Sequence, residues 1–205
     1  MNTLAPASIE DLRQALSEHR SIQVLGAGSA LRRSLDVEAH IAMIAITGVL
    51  DLRPPDLTCA VRAGTSVVEF QSALAEHGLC IPITDSVGTV GGAYMAHQGA
   101  GIWRDWTIGA TFMLADGTVA KSGSHAVKSV AGYDVHRFMA GTRGSLAICL
   151  ELILRLYPLA TKLEVLEPDA EMVEVADPTQ IRLMKRAKAI FDPTNKLNPG
   201  EWGFM

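Results

Sequence analysis

The chain has 205 residues, 48% of them apolar and 20% charged, with a formal net charge of −4. That length and balance belong to a globular protein with a real core and exclude a disordered chain. The acidic balance gives no electrostatic reason to bind nucleic acid or an anionic membrane.

The N-terminal residues lack a basic segment followed by an apolar one, which argues against a secretory signal. Ser8 stands where it can cap a helix with Asp11 at its third position, and Ile9, Leu12, Ala15 and Leu16 supply the apolar stripe. A strand is expected over Ile22–Leu25, followed by the small-residue loop GAGSA at 26–30 and an apolar segment at 41–50. LTCAVRAGT reads as a strand ending at Gly64, after which Ser66 and Glu69 form a capping box opening a helix that Gly78 closes. The strand LCIPI leads into GTVGGAYMAHQGAG at 88–101.

Trp103, Arg104, Asp105 and Trp106 read either as a surface loop or as a partner contact. TFMLADGTVAKSG looks like a hairpin, with positive φ expected at Asp116 and Gly117. From 148 to 156 the even positions are Ile, Leu, Leu, Leu and Leu, a period of two that marks a strand with one buried face. The run containing it is broken by Glu151 and Arg155 and is too short to span a bilayer, so no direct membrane insertion is expected. Residues 159–176 are acidic and leave no room for a domain. Asp177 is placed to cap a final helix with Pro178 first, carrying Ile181, Met184, Ala187, Ile190 and Phe191 on its apolar side and Lys185, Arg186 and Lys188 on a solvated one. Cys59, Cys80 and Cys149 have neither disulfide-framework nor zinc spacing, and no metal site is expected. Buried reduced thiols in a cytoplasmic protein are the simplest reading.

Glycine weakens helices and strands, so clusters of it belong where backbone takes unusual dihedrals or approaches something closely. Two clusters, at 26–30 and 88–101, each follow a strand, where main-chain N–H groups can point outward together. Such an array can meet the charge of a pyrophosphate without lysine or arginine. Neither stretch is GxxxxGK[ST] or GxGxxG, so a P-loop and a Rossmann fingerprint are excluded.

Taken in order, VLGAGS, VRAGTSVVEF, GTVGGAYMAHQGAG, KSVAGYD, GTRGSL and the closing NPG resemble the FAD-binding domain of the vanillyl-alcohol oxidase/p-cresol methylhydroxylase (PCMH) type, and within it the flavin subunits of bacterial glycolate oxidase. The resemblance implies an α+β fold of two α+β subdomains, with residues 1–158 as the FAD domain, 159–176 as a short linker in place of the cap domain, and 177–205 as a C-terminal helix and tail packing back. It places noncovalent FAD against Gly26, Ala27, Gly28, Ser29, Ala30 and Leu31, then Pro82, Gly88, Thr89, Val90, Gly91 and Gly92. Ala96, His97, Gln98 and Gly99 would pass beside the flavin, and Ile148 would meet its edge.

His97 would either donate to the ring, act as an acid or base, or satisfy local backbone. Gly91, Gly92 and Gly99 would let backbone lie where a Cβ would collide with the cofactor. The covalent histidine of some relatives is absent between Gly26 and Leu31, and Glu201 stands where the family often has lysine. No residue is identified as the catalytic base. With the cap absent, the resemblance implies a subunit of a 2-hydroxy-acid oxidoreductase that passes electrons to flavoprotein and iron–sulfur partners, cytoplasmic or held peripherally at the inner membrane by that complex. The rival reading is a non-catalytic assembly module whose Met95, Ile102 and Trp103 form an exposed interface.

Overall fold

The computed structural model describes residues 3–31, 33–82, 87–96, 102–126, 132–161 and 177–203. Strand β1 (Thr3–Leu4) and helix α1 (Ile9–Glu18) come first, and the Ser8 hydroxyl accepts from the Asp11 amide at 3.0 Å, the expected cap. Strands β2 (Ile22–Leu25) and β3 (Ala39–Ala42) join β1 in a small parallel sheet, order β1-β3-β2. Leu12, Ala15 and Leu16 of α1 pack with Ile22, Ala39 and Ile41.

The larger sheet has five strands: β4 (Val49–Arg53), β5 (Thr58–Arg62), β7 (Thr107–Met113), β8 (Val119–Gly123) and β9 (Ile148–Arg155), all antiparallel, in the order β4-β5-β9-β7-β8. Helices α2 (Val67–Ala75) and α3 (Val90–Ala96) contribute Phe70, Leu74 and Tyr94 to its core. The alternation in β9 is realised, and the strand serves both cores. Ile148 and Leu150 pack with α1 and the small sheet, while Leu152 and Leu154 pack with α2 and α3. This α+β architecture is the expected one.

Four local expectations are corrected. Ser66 does sit before α2, but its side chain makes no capping bond; its backbone instead bridges Thr89, bringing α2 alongside the start of α3. The strand expected over LCIPI shrinks to β6 (Leu79–Cys80), which pairs with β10 (Tyr157–Pro158). In the loop of the β7–β8 hairpin only Gly117 has positive φ (83°), because its amide closes a turn onto Leu114 O and Thr118 O accepts from Leu114 N, a three-residue loop with one left-handed residue. The Trp103 segment is helix α4 (Ile102–Trp106), not a surface loop. Trp103 is buried, and Trp106 Nε1 donates to the Tyr157 hydroxyl at 2.7 Å.

The last helix, α6 (Pro178–Phe191), starts at the Asp177 cap, where Oδ1 accepts from Thr179 N at 2.8 Å. Its faces are not the expected ones: Ile190 is 75% exposed, and Lys188 is the buried residue. α5 (Val135–Met139) approaches α6 through the tilted ring pair of Phe138 and Phe191, 6.0 Å between centroids. Among the described residues, no helix is long and apolar enough to cross a membrane.

Candidate cofactor cleft

The strand β2 runs out at Leu25 into the loop 26–31, which faces α3, the start of β9 and the C-terminal tail. Together they line a cleft of about 750 Å³, counting the part open to solvent. Gly26, Ala27, Gly28, Ser29, Ala30, Leu31, Thr89, Gly91, Gly92, Ala96 and Ile148 all line it. Gly88 lies just behind, where a Cβ would come within 2.5 Å of Ser29 Oγ. Val90 and Pro82 do not line the cleft. Val90 is the first residue of α3 and turns into the large core, fully buried, and Pro82 is buried away from the lining. His97, Gln98 and Gly99 lie outside the described residues.

The glycines act differently from the expectation that each makes room for a ligand. A Cβ on Gly91 would stand 2.5 Å from Ala63 Cβ and 3.0 Å from Ala63 O, while the Gly91 amide donates to that same carbonyl at 2.8 Å. Gly91 thus lets α3 close onto β5. A Cβ on Gly26 would meet Thr89 Oγ1 at 2.2 Å, and that oxygen is already the acceptor of the Gly92 amide at 3.1 Å. These glycines bring the loop and the helix together, and the cleft follows from that approach.

Among the described residues, the amides of Ala27, Gly28, Ser29 and Ala30 donate no hydrogen bond. Four N–H groups without a partner among the described residues, in one short exposed loop with Gly28 at φ 79°, are free to donate to an anion. The remaining lining is small or apolar, including Met43, Ala63, Met95 and Ala147, which suits a flat ring system. The residues therefore fit a dinucleotide such as FAD.

Two charged side chains line the cleft among the described residues, Arg143 and Glu201. Arg143 has φ 54° and links three segments. Its amide donates to Met95 O at 2.8 Å, Nη2 to Ala30 O at 2.8 Å, and Nε to Glu201 Oε1 at 2.5 Å. Glu201 Oε2 is buried and has no partner among the described residues. Asn198 also lines the cleft, but its amide is committed to protein: Oδ1 accepts from Val24 N at 2.7 Å and Nδ2 donates to Arg143 O at 2.6 Å.

The reasoning from sequence missed Arg143, although it lies inside the GTRGSL stretch that was picked out for its glycines. Nothing local signals that its guanidinium reaches residues 58 and 113 positions away. Cys149 also lines the cleft; burial first, and Glu151 second, push its thiol up, so it stays protonated. His125 and His136 are elsewhere: His125 Nδ1 bonds Thr58 Oγ1 at 2.8 Å, and His136 Nδ1 lies 3.0 Å from Ser122 Oγ.

Residues 3–123 match the family model described as the FAD binding domain, and residues 166–202 match the model of the FAD linked oxidases, C-terminal domain. The chain belongs to this family of FAD-binding domains, of the PCMH type, and FAD is its cofactor. Among curated proteins it is similar to glycolate oxidase subunit GlcD of Bacillus subtilis, 29% identical over 76% of this chain and 36% of that protein. It is also similar to glycolate oxidase subunit GlcE of Escherichia coli, 27% identical over 74% of this chain and 47% of that protein. A third relative is the mitochondrial D-lactate dehydrogenase [cytochrome] of Arabidopsis thaliana, 32% identical over 57% of this chain and 22% of that protein. The chain thus corresponds to less than half the length of each.

Proposed function

We propose that this chain is the FAD-binding subunit of a 2-hydroxy-acid oxidoreductase of the glycolate type, handing electrons to a partner subunit. The observation that carries this reading is the row of partnerless amides at Ala27, Gly28, Ser29 and Ala30 beside an apolar slot, in a chain whose relatives are named for glycolate and D-lactate. Bound FAD would supply the two-electron acceptor for oxidation of the hydroxyl-bearing carbon. The chain's own part is to hold it: loop amides on the diphosphate, Gly92 and Ala96 along one wall, and Ile148 at the edge. The reading takes the cofactor as held noncovalently because the loop at 26–31 contains no histidine.

We read residues 1–158 as the FAD domain, 159–176 as standing in place of a cap, and 177–205 as the segment that returns to close the cleft. Lys188 of α6 supports that division by donating to Ser145 O at 2.7 Å. Without a cap, exclusion of water and placement of substrate fall to partner subunits, a flavoprotein and an iron–sulfur protein. The exposed Leu183, Ile190 and Phe138 offer apolar surface for such contacts. The assembly-module reading loses its proposed interface at two points, since Met95 and Trp103 are buried.

The test is direct. Chain purified with added FAD should retain a flavin absorption band that bleaches with glycolate or lactate when its co-purifying partners are present. A colourless protein that takes up no FAD overturns the reading. A flavoprotein that no 2-hydroxy acid reduces, with partners present, restricts it to cofactor binding.

A further inference from the structure

Arg143 holds the loop at 26–31 by one of its peptides. Its Nη2 donates to Ala30 O at 2.8 Å, its Nε is fixed on Glu201 Oε1, and its side chain is only 9% exposed, so little water competes for these bonds. The other end of the same peptide is committed too, since Leu31 N donates to Gly28 O at 3.1 Å. A trans peptide directs its C=O and its N–H in opposite senses. The Gly28 carbonyl faces Leu31, so the Ser29 N–H of that peptide faces outward from the turn, and it has no partner among the described residues. Ser29 lines the cleft. Two peptide planes therefore connect a guanidinium to a free donor, in the order Arg143 Nη2, Ala30 C=O, Leu31 N–H, Gly28 C=O, Ser29 N–H.

The backbone at Arg143 is a second, independent observation. Its φ of 54° is left-handed, whereas the neighbours that share this region are Gly141 at 75° and Gly144 at 70°, which carry no Cβ. A side chain kept in a seat that suits glycine is held there by its surroundings, and such residues cluster at ligand clamps.

We propose that Arg143 is the positioning residue of the anion loop: through the Ala30–Leu31 and Gly28–Ser29 peptides it orients the Ser29 N–H and strengthens it as a donor to the diphosphate of the bound dinucleotide. This rests on the assignment of the cleft to FAD, and Arg143 acts without itself touching the ligand. Hydrogen bonds in a chain polarise one another, and a cation at the carbonyl end makes the terminal N–H the better donor. Glu201 keeps the guanidinium in place.

Arg143→Met alone strands a buried carboxylate, so the variant to make is Arg143→Met with Glu201→Met, which removes both charges together. A cooperative melting transition establishes that it folds. Calorimetry on the full chain should then show FAD and inorganic pyrophosphate both weakened by about three- to tenfold, the net worth of one hydrogen bond. A folded double variant that binds pyrophosphate as tightly as wild type overturns the proposal. In proton–nitrogen correlation spectra, saturating pyrophosphate should move the Ser29 amide proton less far downfield in the variant than in wild type. The Ala27 amide lies outside the relay and should move equally in both. If the Ser29 and Ala27 displacements shrink alike, Arg143 acts only through the packing of the loop, and the proposal fails.

Wild type supplies an arm free of mutation, which decides the matter if the double variant does not fold. The Leu31 N–H is turned inward onto Gly28, yet its bond tightens if the relay transmits, so pyrophosphate should shift the Leu31 amide proton downfield together with that of Ser29. A Leu31 resonance that stays in place while Ser29 moves overturns the relay. Wild type that takes up neither FAD nor pyrophosphate overturns the cleft's assignment and the proposal with it, an outcome distinct from FAD uptake to which Leu31 does not respond.

Discussion

Lys188 and Asp192 form an ion pair sealed inside the protein, Nζ to Oδ2 at 2.7 Å, with side chains 5% and 0% exposed. Burial pushes the Lys188 pKa down and Asp192 opposes it, while two carbonyls, Ser145 O and Leu197 O, take its other protons. Asp192 in turn accepts from the amides of Lys196 and Leu197. One lysine thereby pins the end of α6, the turn before β9 and the tail that carries Asn198 and Glu201.

Lys188→Met should lower the unfolding free energy by about 3–5 kcal/mol, because it strands a buried carboxylate and two carbonyls. Urea titration measures this, and a loss below about 1 kcal/mol would mean that the pair is dispensable.

The glycines divide into those that hold the fold and those that shape the cleft. Gly91→Ala should destabilise the apoprotein by about 1–3 kcal/mol, since its Cβ meets the Ala63 backbone and β5 cannot yield cheaply. Gly92→Val should cost FAD retention more than stability, because its nearest obstacle is the Thr89 hydroxyl at 2.8 Å, which lies at the loop contact. Melting curves and flavin content on the two variants should rank oppositely; a common ranking contradicts this division.

His136 links pH to stability. Its ring is buried, and burial, aided by Arg137 and opposed by Asp134, lowers its pKa below the ordinary 6.5. The unfolded chain then takes up the proton first as pH falls. The neutral histidine's contribution is complete above about pH 6.5 and is lost as pH falls below it, until the folded ring also protonates. The slope from this one group is at most about 1.4 kcal/mol per pH unit. The stability gap between wild type and His136→Gln should therefore narrow between pH 8 and pH 5.5 in denaturant titrations. A gap that holds constant or widens would contradict the assignment.

The thiols should differ in reactivity. Burial, with Asp51 adding to it, pushes Cys59 up to about 12, and Cys149 is buried and pushed up as well, whereas Cys80 is only partly buried. Iodoacetamide at pH 8, read by mass spectrometry, should label Cys80 first and reach the other two only on unfolding. Labelling of Cys149 in the folded, FAD-free protein would mean that the cleft opens further than its lining indicates.

Legibility from sequence followed the range of each interaction. The Ser8 and Asp177 caps, the strand period of β9 and the left-handed Gly117 depend on neighbours within four positions, and each was read from them. The fold class and the FAD family were legible because the ordered motifs carry many such local constraints at once. Three local readings failed where a distant partner took over: the Ser66 hydroxyl made no cap because its backbone bridges Thr89, Lys188 left its solvated face for Asp192 and Ser145, and Trp103 sank into the core.

The sequence by itself determined many of the elements, the small-residue loop after β2 and the family. Tertiary structure alone decided what closes the cleft. Val24 meets Asn198 across 174 positions, and Arg143 meets Ala30 and Glu201 across 113 and 58. Hydrogen bonds act over about 3 Å in space and carry no memory of separation along the chain. Which charge faces which, and which segments line the cleft, is therefore fixed only once the chain has folded.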